Sequence, residues 1–415
     1  MRNPVQKNFQ RARIHSKRIW LWFIAAGVLG FCFLAACLAI VPAINPAFGA
    51  ETADRLRTLV GPQPVALLES ISFKLQDQLN QFRSTINGGK TQITFSQPAE
   101  QIPSSSSDGS PVSTPTATTP QPTPTPAPVQ PSTPTLTVHV VADSPQIGWQ
   151  AYGPSVNGAP AMARALILVD PKRSYAGVAL VRMDLSKLQL HMMPGIIEPS
   201  HPSGITKAIP NLGMIPPSDQ PFLAAAFNGG FKGIHGRYGM MVNDFTLLPP
   251  LPGLATVAIY GEGQVEIGTW GKEINASNDM TALRQNCPPL IENGQVNMAL
   301  SLDNRRAWGY TGNTDITWRT GLGITQDGHY LIYAVGNGTS AKTLADAFLQ
   351  AGAYNAMQLD INQFYAHFYV YQPVNDPAAS QGFLMTGERL LDQMINNPHL
   401  YLTPNVRDFF YLTMR

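Results

Sequence analysis

A stretch of Pro, Ser, Thr and Gln from Gln97 to Thr135, including "STPTATTPQPTPTPAPVQPSTPT", divides this chain and limits what each part can become. It carries no aromatic side chain and too little apolar surface to bury, so it has no core of its own. Proline-rich chain favours extended polyproline II at ~3.1 Å per residue, which predicts a semi-rigid stalk of about 100 Å. Everything that folds must therefore lie before it or in the 136–415 segment, which is long enough for one sizeable core.

The front part has its own constraint. Arg2, Lys7, Arg11, Arg13, Lys17 and Arg18 precede any acid, the first of which is Glu51. Between them lies "IWLWFIAAGVLGFCFLAACLAIV", Ile19 to Val41, without a charge. As a helix it spans a ~30 Å hydrocarbon core. Cations stay on the cytoplasmic side, so the sequence predicts a single-pass cell-membrane protein, of bacterial type, with its C-terminal part extracytoplasmic. The alternative is a lipoprotein anchored at Cys37, because "LAAC" resembles a lipoprotein signal; the apolar run continues past that cysteine, which favours the spanning anchor. The expected organisation is a basic cytoplasmic segment (1–18), a transmembrane anchor (19–41), a juxtamembrane helical segment (42–96), a linker (97–135) and a head (136–415). In 42–96 the spacing of Val65, Leu68, Leu75, Leu79 and Phe82 predicts an amphipathic helix.

Charged residues make up 13% and the net charge is +2, which excludes a nucleic-acid partner of the usual electrostatic kind. Of three cysteines, Cys32 and Cys37 fall in the apolar run and Cys287 stands alone, so neither a disulfide framework nor a structural zinc site is supported. The head reads as short β-rich runs between turn residues: "RALILVD", "YAGVALVRM", "LQLHMM", "FLAAAFN", "LATVAIY" and "QVEIGTW". "LGITQDGHYLIYAV" is a hairpin turning at Asp327–Gly328. "SAKTLADAFLQAGA" is a helix with Ser340 as N-cap and Gly352 past its end. "NAMQLDI" and "FYAHFYVY" read as strands, and "GERLLDQMIN" as a closing helix. This is an α+β class, a mixed, largely antiparallel β-sheet head with flanking helices.

Four places combine glycine with polar groups near strand ends. "FNGGFKGIHGRYG" offers Asn228, Gly229 and Gly230, with Lys232, His235 and Arg237 as donors or titrating groups. "TDITWRTGLGIT" offers Arg319 and Thr320; the Arg319 fork suits a phosphate or carboxylate, or else pairs with Asp315. "VGNGTS", with Asn337, reads as a loop at a helix N-terminus, where free N–H groups favour an anion or serve only as a cap. In "AMQLDINQF", Asp360 ends an apolar run and Asn362 follows. No P-loop or dinucleotide fingerprint is present.

The order "FNGGF", "WRTGLGIT" with "DGHYLIYAV", a glycine-ended helix and then "NAMQLD" is similar to the phosphodiester glycosidase family, from about Arg164 to Phe368. The resemblance implies hydrolysis of a sugar–phosphate diester, with functional residues matching Asn228, Gly229, Gly230, Arg319 and Asp360. In that family the aspartate is followed by glycines and a serine; here Ile361, Asn362, Gln363 and Phe364 stand there. One carboxylate is fewer than an ordinary glycosidase uses, and Asp303, Asp315 or Glu292 would have to supply a second. Phosphate is a good leaving group, so Arg319 and backbone N–H groups would stabilise its charge. Asp360 would orient water, hold a sugar hydroxyl, or bind a divalent cation such as calcium with Asn362, and His235 would serve as acid or base. The expected catalytic set is Asp360, Arg319 and His235, with Asn228, Gly229, Gly230, Thr320, Asn337 and Asn362 binding a glycan or sugar-phosphate substrate. The alternative is an inactive glycan-binding module on the same fold; a structural surface protein is a third class.

Overall fold

The computed structural model describes residues 46–89, 91–96, 139–140, 147–200, 209–302, 307–309, 312–379 and 382–415. The run Ile19–Val41, Cys37 and the Pro-rich segment lie outside them. No helix among the described residues is long and apolar enough to cross a membrane.

Three sheets build the head. The first holds β1 (His139–Val140), β2 (Gln150–Val156), β3 (Ala159–Leu168), β4 (Val178–Asp184), β12 (Ile291–Glu292), β13 (Gln295–Val296), β14 (Thr317–Ile324), β15 (Tyr330–Thr339) and β16 (Asn355–Gln358). Their order is β1-β3-β4-β15-β14-β16-β12-β13, with β2 beside β3. A second sheet runs β10 (Val265–Thr269), β9 (Ala255–Tyr260), β11 (Met280–Gln285), β7 (Met240–Val242) and β8 (Phe245–Leu248). The third runs β18 (Phe383–Arg389), β17 (Phe368–Asn375), β6 (Leu223–Asn228), β19 (Phe409–Met414) and β5 (Leu188–Met193). Apart from β1 beside β3, every strand pair among the described residues is antiparallel, in line with the largely antiparallel head that the sequence predicts.

The first sheet is covered on both faces, which is why its strands are nearly continuous apolar runs. In β4, Ala179, Val181 and Met183 enter the main core between the sheets. Val178 and Leu180 enter a second core under a helix. That helix, Ala341–Gln350, starts where predicted: the Ser340 side chain accepts from the Thr343 N–H. Gly321 and Gly323 of β14 lie under its Phe348, where an added Cβ would press on the ring.

Three expectations are corrected. "GERLLDQMIN" is not a helix: its first residues complete β18, paired along β17, and Leu390, Leu391 and Met394 turn into the main core. "VGNGTS" is not a loop, because β15 runs through it to Thr339 before Ser340 caps the helix. The juxtamembrane segment is not held away from the head by a stalk. It forms α1 (Pro46–Val60) and α2 (Pro62–Ile86), and the Ala341–Gln350 helix is then α3. Ile93 and Phe95 enter the main core, the Ser96 N–H donates to the Leu390 carbonyl, and Asp77 of α2 binds Arg173. The chain therefore meets the head on both sides of the Pro-rich segment, at Ser96 and at β1, which pairs with β3. Apolar contact overrides the composition boundary, because Ile93 and Phe95 gain more by entering the core than by staying in solvent.

Candidate functional site

The loop after β6 is built before any ligand is considered. Asn228 ends the strand, buried, and all its side-chain capacity is used. Its Nδ2 donates to the Gly229 carbonyl and to Thr320 Oγ1 at 3.0 Å. Its Oδ1 accepts from Tyr333 Oη and from the His367 N–H. Gly229 is required because a Cβ would collide with the Asp408 carboxylate. The Gly230 N–H donates to Asp408 Oδ2 at 3.1 Å. Arg284, 1% exposed, binds Asp408 at 2.8 Å and donates to the Phe231 and Gln285 carbonyls. The asparagine–glycine–glycine motif thus serves a buried clamp in which every group is paired.

Asp360 follows β16, and its carbonyl accepts from the Thr320 N–H and Oγ1, which ties it to Asn228. Its side chain is 7% exposed. Oδ2 accepts from Arg407 Nη2 at 2.7 Å and Oδ1 from the Asn362 N–H at 2.9 Å. Arg407 also donates to the Gly230 carbonyl and lies 4.2 Å over the Tyr365 ring. Burial opposes the Arg407 charge, but the Asp360 and Asp408 carboxylates outweigh it and raise its pKa. Lys232 shares Tyr365, with Nζ 5.4 Å from the ring centroid. Arg407 and Lys232 are the cations beside Tyr365, and the His235 imidazole stands next to Lys232.

Helix α1 closes over them. Asp54 takes Lys232 Nζ on Oδ2 and His235 Nε2 at 3.3 Å from Oδ1. Burial alone would raise the Asp54 pKa, yet the bonds from His235 and Lys232 hold it well below the usual carboxylate range. Asp54 also accepts from Arg57 at 2.7 Å, and Arg57 reaches Glu69 of α2. Glu69 is buried deeply enough that desolvation raises its pKa despite Arg57.

The predicted residues separate into two groups. Asn228, Gly229, Gly230, Thr320, Asp360 and Asn362 form one continuous network with Arg407, and His235 and Lys232 stand at its edge under Asp54. Arg319 does not join it, which corrects the expected catalytic arginine. Side chains alternate along β14, so Thr320 points to Asn228 and Arg319 to the α3 side. There Arg319 is fully buried, donating to the Thr339, Gly312 and Asp315 carbonyls and to Gln358 Oε1. Burial pushes its pKa down to about 10. Asn337 sits in β15, away from Asp360, with a buried carboxamide oxygen that no group meets.

The predicted second carboxylates are not there either. Asp315 accepts from Ser70 of α2 and the Gly312 N–H. Glu292 accepts from Thr269 and Lys272. Asp303 lies outside the described residues. The carboxylates near Asp360 are instead Asp408, through Gly230 and Arg407, and Asp54. Sequence reasoning missed Arg407, Asp408, Tyr365 and His367. "VRDFF" carries the only signal, two opposite charges directly before an apolar strand. His367 is buried with Nδ1 3.3 Å from Tyr401 Oη, and desolvation lowers its pKa to about 4.

No group of three or more His, Cys, Asp or Glu among the described residues is arranged to hold a metal ion. Asp360 and Asn362 turn inward locally, the Asn362 Oδ1 accepting from the Phe364 N–H. A separate open groove of about 690 Å³, lined by Glu262, Glu266, Asp327, His329 and Arg415, shares no residue with this network.

Residues 222–393 match the family model of phosphodiester glycosidases, a family of hydrolases. Among solved structures, the chain is similar to a zebrafish N-acetylglucosamine-1-phosphodiester alpha-N-acetylglucosaminidase catalytic domain, described as auto-inhibited by its pro-peptide. Identity is 13% and the TM-score 0.39, over 64% of this chain and 87% of that one. It is also similar to a hypothetical protein from Synechocystis at 12% identity and TM-score 0.36, over 66% of this chain and 64% of that one. No curated protein matches.

Proposed function

We propose, from the phosphodiester glycosidase match over 222–393 and the network above, that this chain hydrolyses a sugar-containing phosphodiester of an envelope or extracellular glycan. The observation that carries the reading is an anion already seated where a phosphate would go: Asp54 pairs with Lys232 and meets the His235 imidazole, beside Arg407 and Tyr365. A phosphodiester carries the same single negative charge and asks for the same donors. In its hydrolysis the sugar carbon–oxygen bond to phosphate breaks, water adds hydroxide to the carbon and gives its other proton to a base and then to solvent, and phosphate leaves with the electron pair. Lys232 and Arg407 are the charges available to stabilise that leaving group, and Tyr365 is an aromatic face beside them. Asp360 fixes Arg407 and is the nearest base for water once the pair loosens. Substrate entry requires α1 to move.

Location belongs to the same proposal: a single-pass anchor at 19–41, with the head extracytoplasmic, or a lipid at Cys37. The substitution after Asp360 supports a second reading, an inactive glycan-binding module. Both Asp360 oxygens are occupied, and Ile361 and Phe364 fill space that glycine leaves open. The test is sugar release from a panel of sugar-1-phosphodiesters by the full-length chain, its Asp54→Ala variant and its Lys232→Ala variant. Hydrolysis is expected, raised by Asp54→Ala and at least tenfold lower in Lys232→Ala. No release from any of them, with glycan binding retained, leaves the binding module.

A further inference from the structure

Past its first two turns, helix α2 turns polar residues to the protein and apolar residues to the outside. Val65 and Leu68 are buried at its start, and beyond them polar residues face inward: Glu69 meets Arg57 of α1, Ser70 donates to Asp315, Asp77 binds Arg173 and Tyr175, and Ser84 meets Ser174. Six of its large apolar residues face outward. Leu67, Ile71, Leu75, Leu79, Phe82 and Ile86 are 38–67% exposed. Steps of four, four, four, three and four residues keep them within about a 120° arc at 100° per residue. A stripe running the length of a 25-residue helix is larger than the scattered exposed side chains of an ordinary surface.

Three features select what covers it. First, the uncharged run Ile19–Val41 ends five residues before Pro46, and five residues reach at most ~18 Å. That is shorter than α2 itself, at ~37 Å, so the helix pair stays beside whatever the run enters. Second, the outward face carries cations and no carboxylate: Lys74 and Arg83 are exposed on either side of the stripe, whereas Glu69 and Asp77 are paired inward. That pattern suits anionic headgroups around a buried apolar face. Third, Leu67, Ile71, Leu75 and Leu79 recur strictly every four residues, and the stripe drifts around the helix. A seam with a second copy would alternate three and four.

We propose that the outward face of α2 lies in the surface of an anionic lipid bilayer, the one that Ile19–Val41 crosses. This rests on the anchor reading above and adds a second contact to it. The α1–α2 pair then lies between bilayer and head, with Asp54 turned to Lys232 and the apolar stripe turned to lipid. The candidate site faces the membrane side of the molecule.

The test uses the full-length chain in liposomes of phosphatidylethanolamine and phosphatidylglycerol. A benzophenone amino acid replaces Leu79 in one variant and Gln76, exposed outside the stripe, in another. Irradiation should attach phospholipid at position 79, read as an added lipid mass, at least tenfold more than at position 76. A cross-linked dimer through position 79, or equal lipid capture at both positions, overturns the proposal. Alkaline carbonate extraction of the same liposomes separates this from the anchor. A chain that resists extraction but captures no lipid at 79 keeps the anchor and loses the docked face. A chain that extracts, yet captured lipid at 79 beforehand, keeps the docked face and loses the anchor.

Discussion

Replacing Asp360 by asparagine separates the two things this carboxylate does. Asp360 and Arg407 are a buried pair, 2.7 Å apart with side chains 7% and 8% exposed. Removing one partner of such a pair costs ~3–5 kcal/mol, since the other charge is left in a poor solvent. Two features reduce that here. Asparagine keeps an oxygen for the Asn362 N–H, and Arg407 keeps the Gly230 carbonyl and the field of Asp408. The expected loss is therefore about 2–3 kcal/mol. Denaturant unfolding of the full-length chain, followed by the fluorescence of buried Trp308 and Trp318, measures it. Arg407→Met and the double variant complete the cycle, with an expected coupling of roughly 1.5–3 kcal/mol. A loss below about 0.5 kcal/mol with no coupling would refute the ion-pair reasoning. Sugar release by Asp360→Asn is read in parallel: hydrolysis that persists in the destabilised variant makes Asp360 only a support for Arg407.

Ile93, fully buried in the main core, should cost about 2–5 kcal/mol when truncated to alanine, although it precedes the Pro-rich segment; an unchanged denaturation midpoint would place it outside the folded unit. His367 titrates near 4 when folded and near 6.5 when unfolded, so the unfolded chain binds the extra proton first. Stability is full above about pH 6.5 and falls toward pH 4, by about 3 kcal/mol for this group alone, and His367→Gln should flatten that part of the stability–pH curve. Cys287 is fully buried and desolvation pushes its thiol up to about 12, so it should resist maleimide at pH 7.5 in the native chain and react after denaturation. Mass spectrometry of the Cys287 peptide reads both states.

Local chemistry was legible where neighbours in sequence settle it. Ser340 caps α3, Asp327–Gly328 turns the hairpin with Gly328 at φ 69°, and the apolar runs of β4, β6 and β15 became strands. Asn228 and Asp360 come together in the sequence only through the family resemblance, each at the end of an apolar run that became a strand or its exit. What failed was decided at a distance. The sequence shows Arg319 and Thr320 side by side, but only the pairing of β14 says which face is the core and which is the site, and a shift of one residue exchanges them. Arg407 and Asp408 are far along the chain from Gly230 and Asp360, and β19 brings them there by pairing with β6. Asp54 and Ile93 lie before a segment whose composition forbids a core, and composition cannot say that the chain on both sides of it packs together. The exposed stripe of α2 is the clearest division. Periodicity determined that the helix is amphipathic, while the tertiary contacts split its apolar stripe: Val65 and Leu68 are buried, whereas Asp77 on Arg173 and Ser70 on Asp315 turn Leu75, Leu79 and Phe82 outward.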